Sequence, residues 1–273
     1  MGENADKAPI HEAMRRRVRR GATRLDGGVA RQVRAFVAGE RDADGFFGGR
    51  GNRRDAYYTV FGMMAAEALG IRRKRLRWRE GEWEGLDFVH TVAWSRLREW
   101  HAPFWRQGRT RNALRRETAD YYATRTDAAF PQGDRRSPYA QFLYASRLQE
   151  LGAHYRPEAL RHDAGNLTAT VAAVLLECAP PNGAECLRSF QSLEGGFANR
   201  RPEALRHAEP DLLSTALALF ALDVLGERPR HSPEAFIGNC LTEHGGFAAT
   251  DATTDTVADV EYTAYALLAI GCL

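Results

Sequence analysis

The sequence predicts an all-α protein built from repeated helical hairpins, and two observations carry that prediction. The first is a recurring phrase. Gly195-Gly196-Phe197, a polar stretch and Asp211-Leu-Leu-Ser-Thr215 lead into an apolar run, and so do Gly245-Gly246-Phe247 and Asp259-Val-Glu-Tyr-Thr263. Near the start, Gly45-Phe46-Phe47-Gly48-Gly49 leads into Asp55-Ala-Tyr-Tyr-Thr59 in the same way. The second is a literal copy: Arg156-Pro-Glu-Ala-Leu-Arg-His162 returns as Arg201-Pro-Glu-Ala-Leu-Arg-His207, and Thr170 and Thr215 follow at the same 45-residue offset. A fixed internal period of this kind marks a repeat architecture.

Each Asp stands where a helix N-cap is expected, since its carboxylate accepts a backbone N–H and favours the positive end of the helix dipole. The run after Asp211 is apolar nearly all round, which predicts a buried helix. The segments before each glycine turn are amphipathic instead: Val29 to Val37, Gly183 to Ser192 and Pro233 to Thr242 each show one apolar face. The unit therefore reads as outer helix, glycine turn, polar loop and inner helix. Asn166 opens a further inner helix, with Tyr139 to Leu151 as its outer partner.

The chain reads as a single domain over residues 1–273, with residues 1–25 a basic N-terminal extension and residues 70–137 an irregular Arg-rich segment. Ile71 to Gly85 shows no amphipathic period. Two phrases compete beyond it, Asp87-Phe-Val-His90-Thr91 and Asp120-Tyr-Tyr-Ala-Thr124. Alternation makes Leu86 to Trp100 an outer helix and about Thr110 to Thr124 an irregular inner one, for five hairpins; a strict count of the phrase gives six. That assignment takes His90 away from the ends of the inner helices.

The length suffices for one large core, and no Pro/Ser-rich linker divides it. No apolar run is long enough to span a membrane, and the N-terminus has basic residues without the apolar stretch of a secretory signal, so a cytoplasmic protein is expected. Cys178, Cys186, Cys240 and Cys272 are scattered without a C-x-x-C pair and read as reduced, mostly buried thiols. The net charge is +3, with arginines clustered at residues 15–20 and 72–79. No nucleic-acid motif accompanies them, so they read as solvated charge balanced by Glu80, Glu82 and Glu84.

Hairpins with a Gly-Gly-Phe turn and D-x-x-x-T at the inner helix resemble the repeats of the prenyltransferase and squalene-cyclase superfamily, most closely the β-subunits of protein prenyltransferases. The resemblance covers about Val29 to Leu69 and Tyr139 to Leu273. It implies an α/α toroid: inner helices around a central cavity, outer helices as a jacket. Their N-termini would share one rim, with Asp55, Asp211, Asp259 and Glu261 on it, suited to an anion such as diphosphate. Tyr57, Tyr58, Phe61, Met63, Phe220, Tyr262 and Tyr265 are the candidate lining for an isoprenoid chain.

The stretch Gly49-Arg50-Gly51-Asn52-Arg53-Arg54-Asp55-Ala56-Tyr57 is similar to the family's diphosphate and zinc region. By that resemblance Arg50 and Arg53 hold the diphosphate, as a planar guanidinium pairs phosphate oxygens bidentately. Asp55 takes the position of the zinc-binding carboxylate. Tyr57 stands where the cysteine ligand belongs, and Tyr262 where the histidine ligand belongs, so no metal is expected. The resemblance implies an isoprenoid or other amphiphilic ligand, prenyl transfer as the activity, and a helical α-subunit as partner. The alternative is a non-catalytic toroid that binds lipid or protein. The paired aspartates of acid-initiated terpene cyclisation are absent, since Asp42-Ala-Asp44-Gly45 lacks them.

Overall fold

The structure is a computed structural model that describes residues 8–49, 54–79, 81–153, 155, 157, 160, 165–179, 181–201, 209–251, 253 and 257–273. Arg50, Arg53 and most of the two copied strings lie outside the described residues. The described chain is all-α, with isolated β-bridges and no strand. In order the helices are α1 (Ile10–Arg24), α2 (Gly27–Gly39), α3 (Ala56–Ala68), α4 (Phe88–His101), α5 (Gln107–Thr124), α6 (Pro138–Glu150), α7 (Leu167–Leu175), α8 (Gly183–Arg188), α9 (Leu212–Val224), α10 (Glu234–Asn239) and α11 (Val260–Cys272). No helix among the described residues is long and apolar enough to cross a membrane. All four cysteines are free thiols, and only Cys178 is more than marginally exposed.

The recurring phrase is a hydrogen-bonded knot. Phe197 donates its N–H to Thr215 Oγ1 at 2.9 Å, Phe47 to Thr59 at 3.0 Å and Phe247 to Thr263 at 3.2 Å. In return the Phe carbonyl accepts from the Asp N–H: Asp55 to Phe47 and Asp211 to Phe197 at 3.1 Å, Asp259 to Phe247 at 3.3 Å. The Phe rings are at most 2% exposed, so these polar groups have no water to fall back on. The first glycine of each turn has positive φ, 91° at Gly45, 93° at Gly195 and 88° at Gly245, a conformation that side chains resist. At the second position a Cβ on Gly196 would meet the ring of Phe236 in α10 at 2.9 Å. In the first copy Phe46 fills that place itself, stacked on Trp83 and covered by the Arg54 guanidinium.

Six helices pack in a circuit. Contacts run α3–α4, α4–α6, α6–α7, α7–α9 and α9–α11, and α11 returns to α3. Two expectations need correcting here. Leu86 to Trp100 and Tyr139 to Leu151, read as outer helices, are members of this circuit as α4 and α6. Thr110 to Thr124, read as inner, belongs to α5, which packs on α4 and α6 from outside with only Leu114 and Thr118 buried. Among the described residues no outer helix separates α3 from α4. Irregular chain at 71–79 stands in its place, with Leu76 buried against the Gly45 turn and Trp78 edge-on to Trp94.

Ile10–Arg24, within the stretch read as an N-terminal extension, form α1, and Ile10, Met14 and Val18 are part of the core. The helix lies across the C-terminal ends of α3 and α11, touches α6, and reaches the end of α9 through Arg17. Gly21 and Gly271 meet where α1 crosses α11; a Cβ on Gly21 would sit 1.8 Å from the Leu267 carbonyl oxygen. Arg15 and Arg19 reach Glu67 of α3 at 2.6 and 2.5 Å, and Arg17 reaches Asp223 of α9 at 2.6 Å. Arg20 and Arg24 donate to the terminal carbonyls of Gly271 and Ile270. Cations placed on the negative ends of helices are stabilising, by about 0.3–1 kcal/mol each where exposed. The arginine cluster is therefore matched to the helix ends beneath it.

Candidate functional site

The helices of the circuit and α1 line a cavity that opens to solvent on one side. Its walls are largely carbon: Val60, Phe61 and Met64 of α3, Val89 and Ala93 of α4, Phe142 and Leu143 of α6, Val171 and Ala172 of α7. Ile10, His11 and Met14 of α1 form the floor. Lining residues from first helical turns, such as Tyr57, Val89, Tyr139 and Thr168, are half-buried, whereas those at the floor are buried. The mouth is thus at the N-terminal ends of the six helices.

Polar residues cap every one of these N-termini. Asp55 accepts from the N–H groups of Tyr57 and Tyr58, Asp87 from His90, Asn166 from Ala169, Asp211 from Ser214 and Asp259 from Tyr262, all at 2.7–3.1 Å. Ser137, followed by Pro138 in the first turn, does the same for Ala140 at 3.3 Å. Caps of this kind contribute about 1 kcal/mol each. Desolvation holds the Asp211 carboxyl above the usual carboxylate range, against the hydrogen bonds it accepts.

His90 sits at this mouth, contrary to its expected place on an outer helix. Its Nε2 is 3.1 Å from Asp55 Oδ2 and its Nδ1 is 2.8 Å from Asp87 Oδ1. Hydrogen bonds to Asp55 and Asp87 push its pKa up to about 10, so both ring nitrogens carry protons at neutral pH. The Asp55 carboxyl is held below its ordinary value; burial opposes the shift and is outweighed by His90 and the N-terminal N–H groups of α3. These bonds commit both nitrogens of His90 to carboxylates.

Just inside the mouth, Tyr57 donates to Glu261 Oε1 at 2.6 Å, and Tyr139 and Tyr265 line the cavity with it. Glu261 is 6% exposed. Burial, reinforced by Glu261, pushes the Tyr139 phenol up to about 12, and burial raises Tyr57 and Tyr265 well above the ordinary range. All three stay neutral phenols that can donate or accept a hydrogen bond toward the cavity.

Of the residues expected to line the cavity, Tyr57, Phe61 and Tyr265 do. Tyr58, Met63 and Tyr262 are partly buried against the core outside the lining. Phe220 is fully buried beneath α1, with the Arg17 guanidinium 5.4 Å from its ring. Arg54, next to the arginines expected to hold an anion, is held by Asp42, Asp44 and Glu82. Sequence reasoning missed Tyr139, whose only signal was the Ser137-Pro138 helix start. It also missed the floor group of His11, Arg96 and Ser146, for which the sequence gives no signal.

Behind the floor lies a charged cluster. Arg96 pairs with Glu150 through Nε and Nη2 at 2.7–3.0 Å, and Arg147, fully buried, reaches Glu99 and Glu150 at 2.7 Å. Burial raises the Glu150 pKa, but Arg96 and its neighbours outweigh this and bring it down to about 2. Burial drives the His11 pKa down to about 3, assisted by Arg96, so that imidazole is neutral. Among the described residues no three His, Cys, Asp or Glu side chains converge as a metal site. Comparison with protein-family models, curated proteins and solved structures finds no match.

Proposed function

We propose that this chain is an α/α toroid of the prenyltransferase-like kind, whose cavity holds the apolar part of an amphiphile with the polar head at the mouth. The carrying observation is the cavity itself, walled by aliphatic and aromatic side chains and sealed at its base by α1. Apolar clefts with a few convergent polar groups are the usual form of small-ligand sites. An isoprenoid diphosphate is the amphiphile that the resemblance implies, and Arg50 and Arg53, which lie outside the described residues, are the proposed anion holders.

The residues at Asp55 do not fit the zinc that the prenyltransferase resemblance implies. Tyr57 stands at the thiolate position and hydrogen-bonds Glu261, and His90 has both nitrogens on carboxylates. That geometry favours a binding protein over a transferase that activates an acceptor thiol.

Calorimetry with farnesyl diphosphate and farnesol tests the reading. Both are expected to bind with a negative heat-capacity change. Val89→Trp, which narrows the mouth, should weaken both by about tenfold or more, and Arg50→Ala with Arg53→Ala should weaken only the diphosphate. Absence of binding for both molecules would reject the cavity reading. Equal diphosphate affinity in the double variant would reject the arginine assignment alone.

A further inference from the structure

The floor of the cavity is not finished the way its walls are. His11 is 9% exposed and lines the cavity, and its ring nitrogens have no hydrogen-bond partner among the described residues. Trp100 lies beside it, ring centroids 5.8 Å apart. Beside it, Arg96 spends Nε and Nη2 on Glu150 and Ser146, leaving Nη1 without a partner among the described residues. Polar atoms that open on a cavity are hydrated only while it holds water, and covering them without a hydrogen bond costs free energy. An apolar chain end reaching this floor would leave both groups unsatisfied. The cavity is built as if something polar arrives there.

The charge around the floor narrows what that is. Arg96 and Arg147 are balanced by Glu99 and Glu150, with Arg111 on the outer side of Glu99. An ionised ligand group would have to compete with Glu150 for Arg96 and would lose its hydration on entering a largely apolar cavity. A neutral imidazole offers one donor and one acceptor, and the guanidinium Nη1 offers donors only. A hydroxyl satisfies both halves of the imidazole, and a carbonyl oxygen accepts from both residues.

We infer that the cavity is selective for an amphiphile with a neutral oxygen function, a hydroxyl or carbonyl, at the end of its apolar chain, and that His11 and Arg96 Nη1 receive it. The inference rests on the cavity reading above and adds the class of ligand: chains functionalised at both ends rather than simple ones. His11 is the residue that sets the preference.

The test uses the full chain and straight-chain alkyl monophosphates of increasing length, each with and without a terminal hydroxyl, measured by calorimetry. At the length that binds best, the hydroxylated compound is expected to bind wild type about tenfold more tightly, since the floor donors and acceptors are otherwise unpaired. In His11→Leu, close in volume, the preference should vanish or reverse, with the plain chain bound at least as well as by wild type. His11→Gln should keep part of the preference. Circular dichroism and melting confirm that each variant is folded, and Ser146→Ala, an alteration of the same floor that spares His11, should retain most of the preference. If wild type binds both compounds equally, or if His11→Leu keeps the preference, the inference fails while the cavity reading stands. A terminal carboxylate that binds more tightly than the hydroxyl overturns the neutral assignment. If neither phosphate binds at any length, the cavity reading fails and takes this inference with it.

Discussion

The two ends of the cavity are built by opposite electrostatic means. At the mouth, helix N-termini meet carboxylates: Asp55, Asp87, Asp211 and Asp259 cap four of six helices, and a charged His90 bridges two of them. At the floor, helix C-termini meet arginines carried in by α1, and His11 on the same helix is neutral. Helices that run the same way around a circuit add their dipoles instead of cancelling them, so each end needs its own counter-charge. The mouth supplies it from within each repeat, one capping side chain per helix, Asp on four and Asn166 and Ser137 on the others. The floor receives it from a single foreign helix laid across several ends. Damage at the mouth should therefore stay local, whereas damage at the floor should reach the whole base of the cavity.

The largest effect is expected where α1 crosses α11. In Gly21→Val a Cβ would lie 1.8 Å from the Leu267 carbonyl oxygen, so one helix has to move away from the other. Overpacking against backbone has no side chain that can yield, and a loss above about 3 kcal/mol is expected by urea denaturation. A variant within about 1 kcal/mol of wild type would mean that α1 is not a structural floor.

His11 gives the second test of the floor. Its folded pKa, about 3, lies below its unfolded value of 6.5. Between those values the unfolded chain binds the extra proton, so stability falls as pH drops from 6.5 toward 3. By about pH 4 this amounts to a few kcal/mol at most, roughly 1.4 per pH unit. His11→Leu should flatten that acid limb and leave the curve above neutrality unchanged. An acid limb of equal slope in the variant would place the sensitivity elsewhere.

How much of this was legible depended on what each letter does. Asp, Thr and Phe of the recurring phrase could be read because their bonds to one another are the same in every copy. The hairpin alternation failed at α4 because it required an outer helix after α3. The chain at 71–79 fills that place without a helical period, through Leu76 and Trp78. Asp87-Phe-Val-His90-Thr91 was the inner-helix phrase after all, and its letters were a better guide than its spacing. The floor was not legible. His11, Arg96, Arg147, Glu99 and Glu150 come from three distant helices, and nothing local marks an arginine as buried or a histidine as unpaired. An Arg-rich N-terminus looks like solvated charge until the helix ends it faces are known.

A repeat-level test of the mouth is Thr215→Val, nearly isosteric. It deprives the buried Phe197 N–H of its acceptor at 2.9 Å. The expected cost is about 2 kcal/mol, the penalty for an unsatisfied buried donor. Because the knot is local, ligand affinity at the distant floor should change by less than about twofold, a difference near the limit of calorimetry. Loss of binding on the same scale as Gly21→Val would show that the two ends are not independent.

The smallest effect belongs to His90, whose side chain is 33% exposed and whose ion pairs are screened accordingly. Its folded pKa, about 10, lies above its unfolded value of 6.5. The stabilisation is therefore complete below pH 6.5 and fades as pH rises through 10, the reverse of His11. In the acid range, Asp55 and Asp87 are held below their ordinary value of 3.8, so their share is present above it and is lost as pH falls through their lowered values. His90→Asn should cost about 1 kcal/mol or less near neutrality, and the difference from wild type should shrink steadily toward alkaline pH. Added salt should diminish it further, because these groups are open to solvent. A difference that stays constant or grows with pH would mean that His90 is neutral at the mouth. The two ends of the cavity would then hold histidines in the same charge state, and the electrostatic opposition between them would be gone.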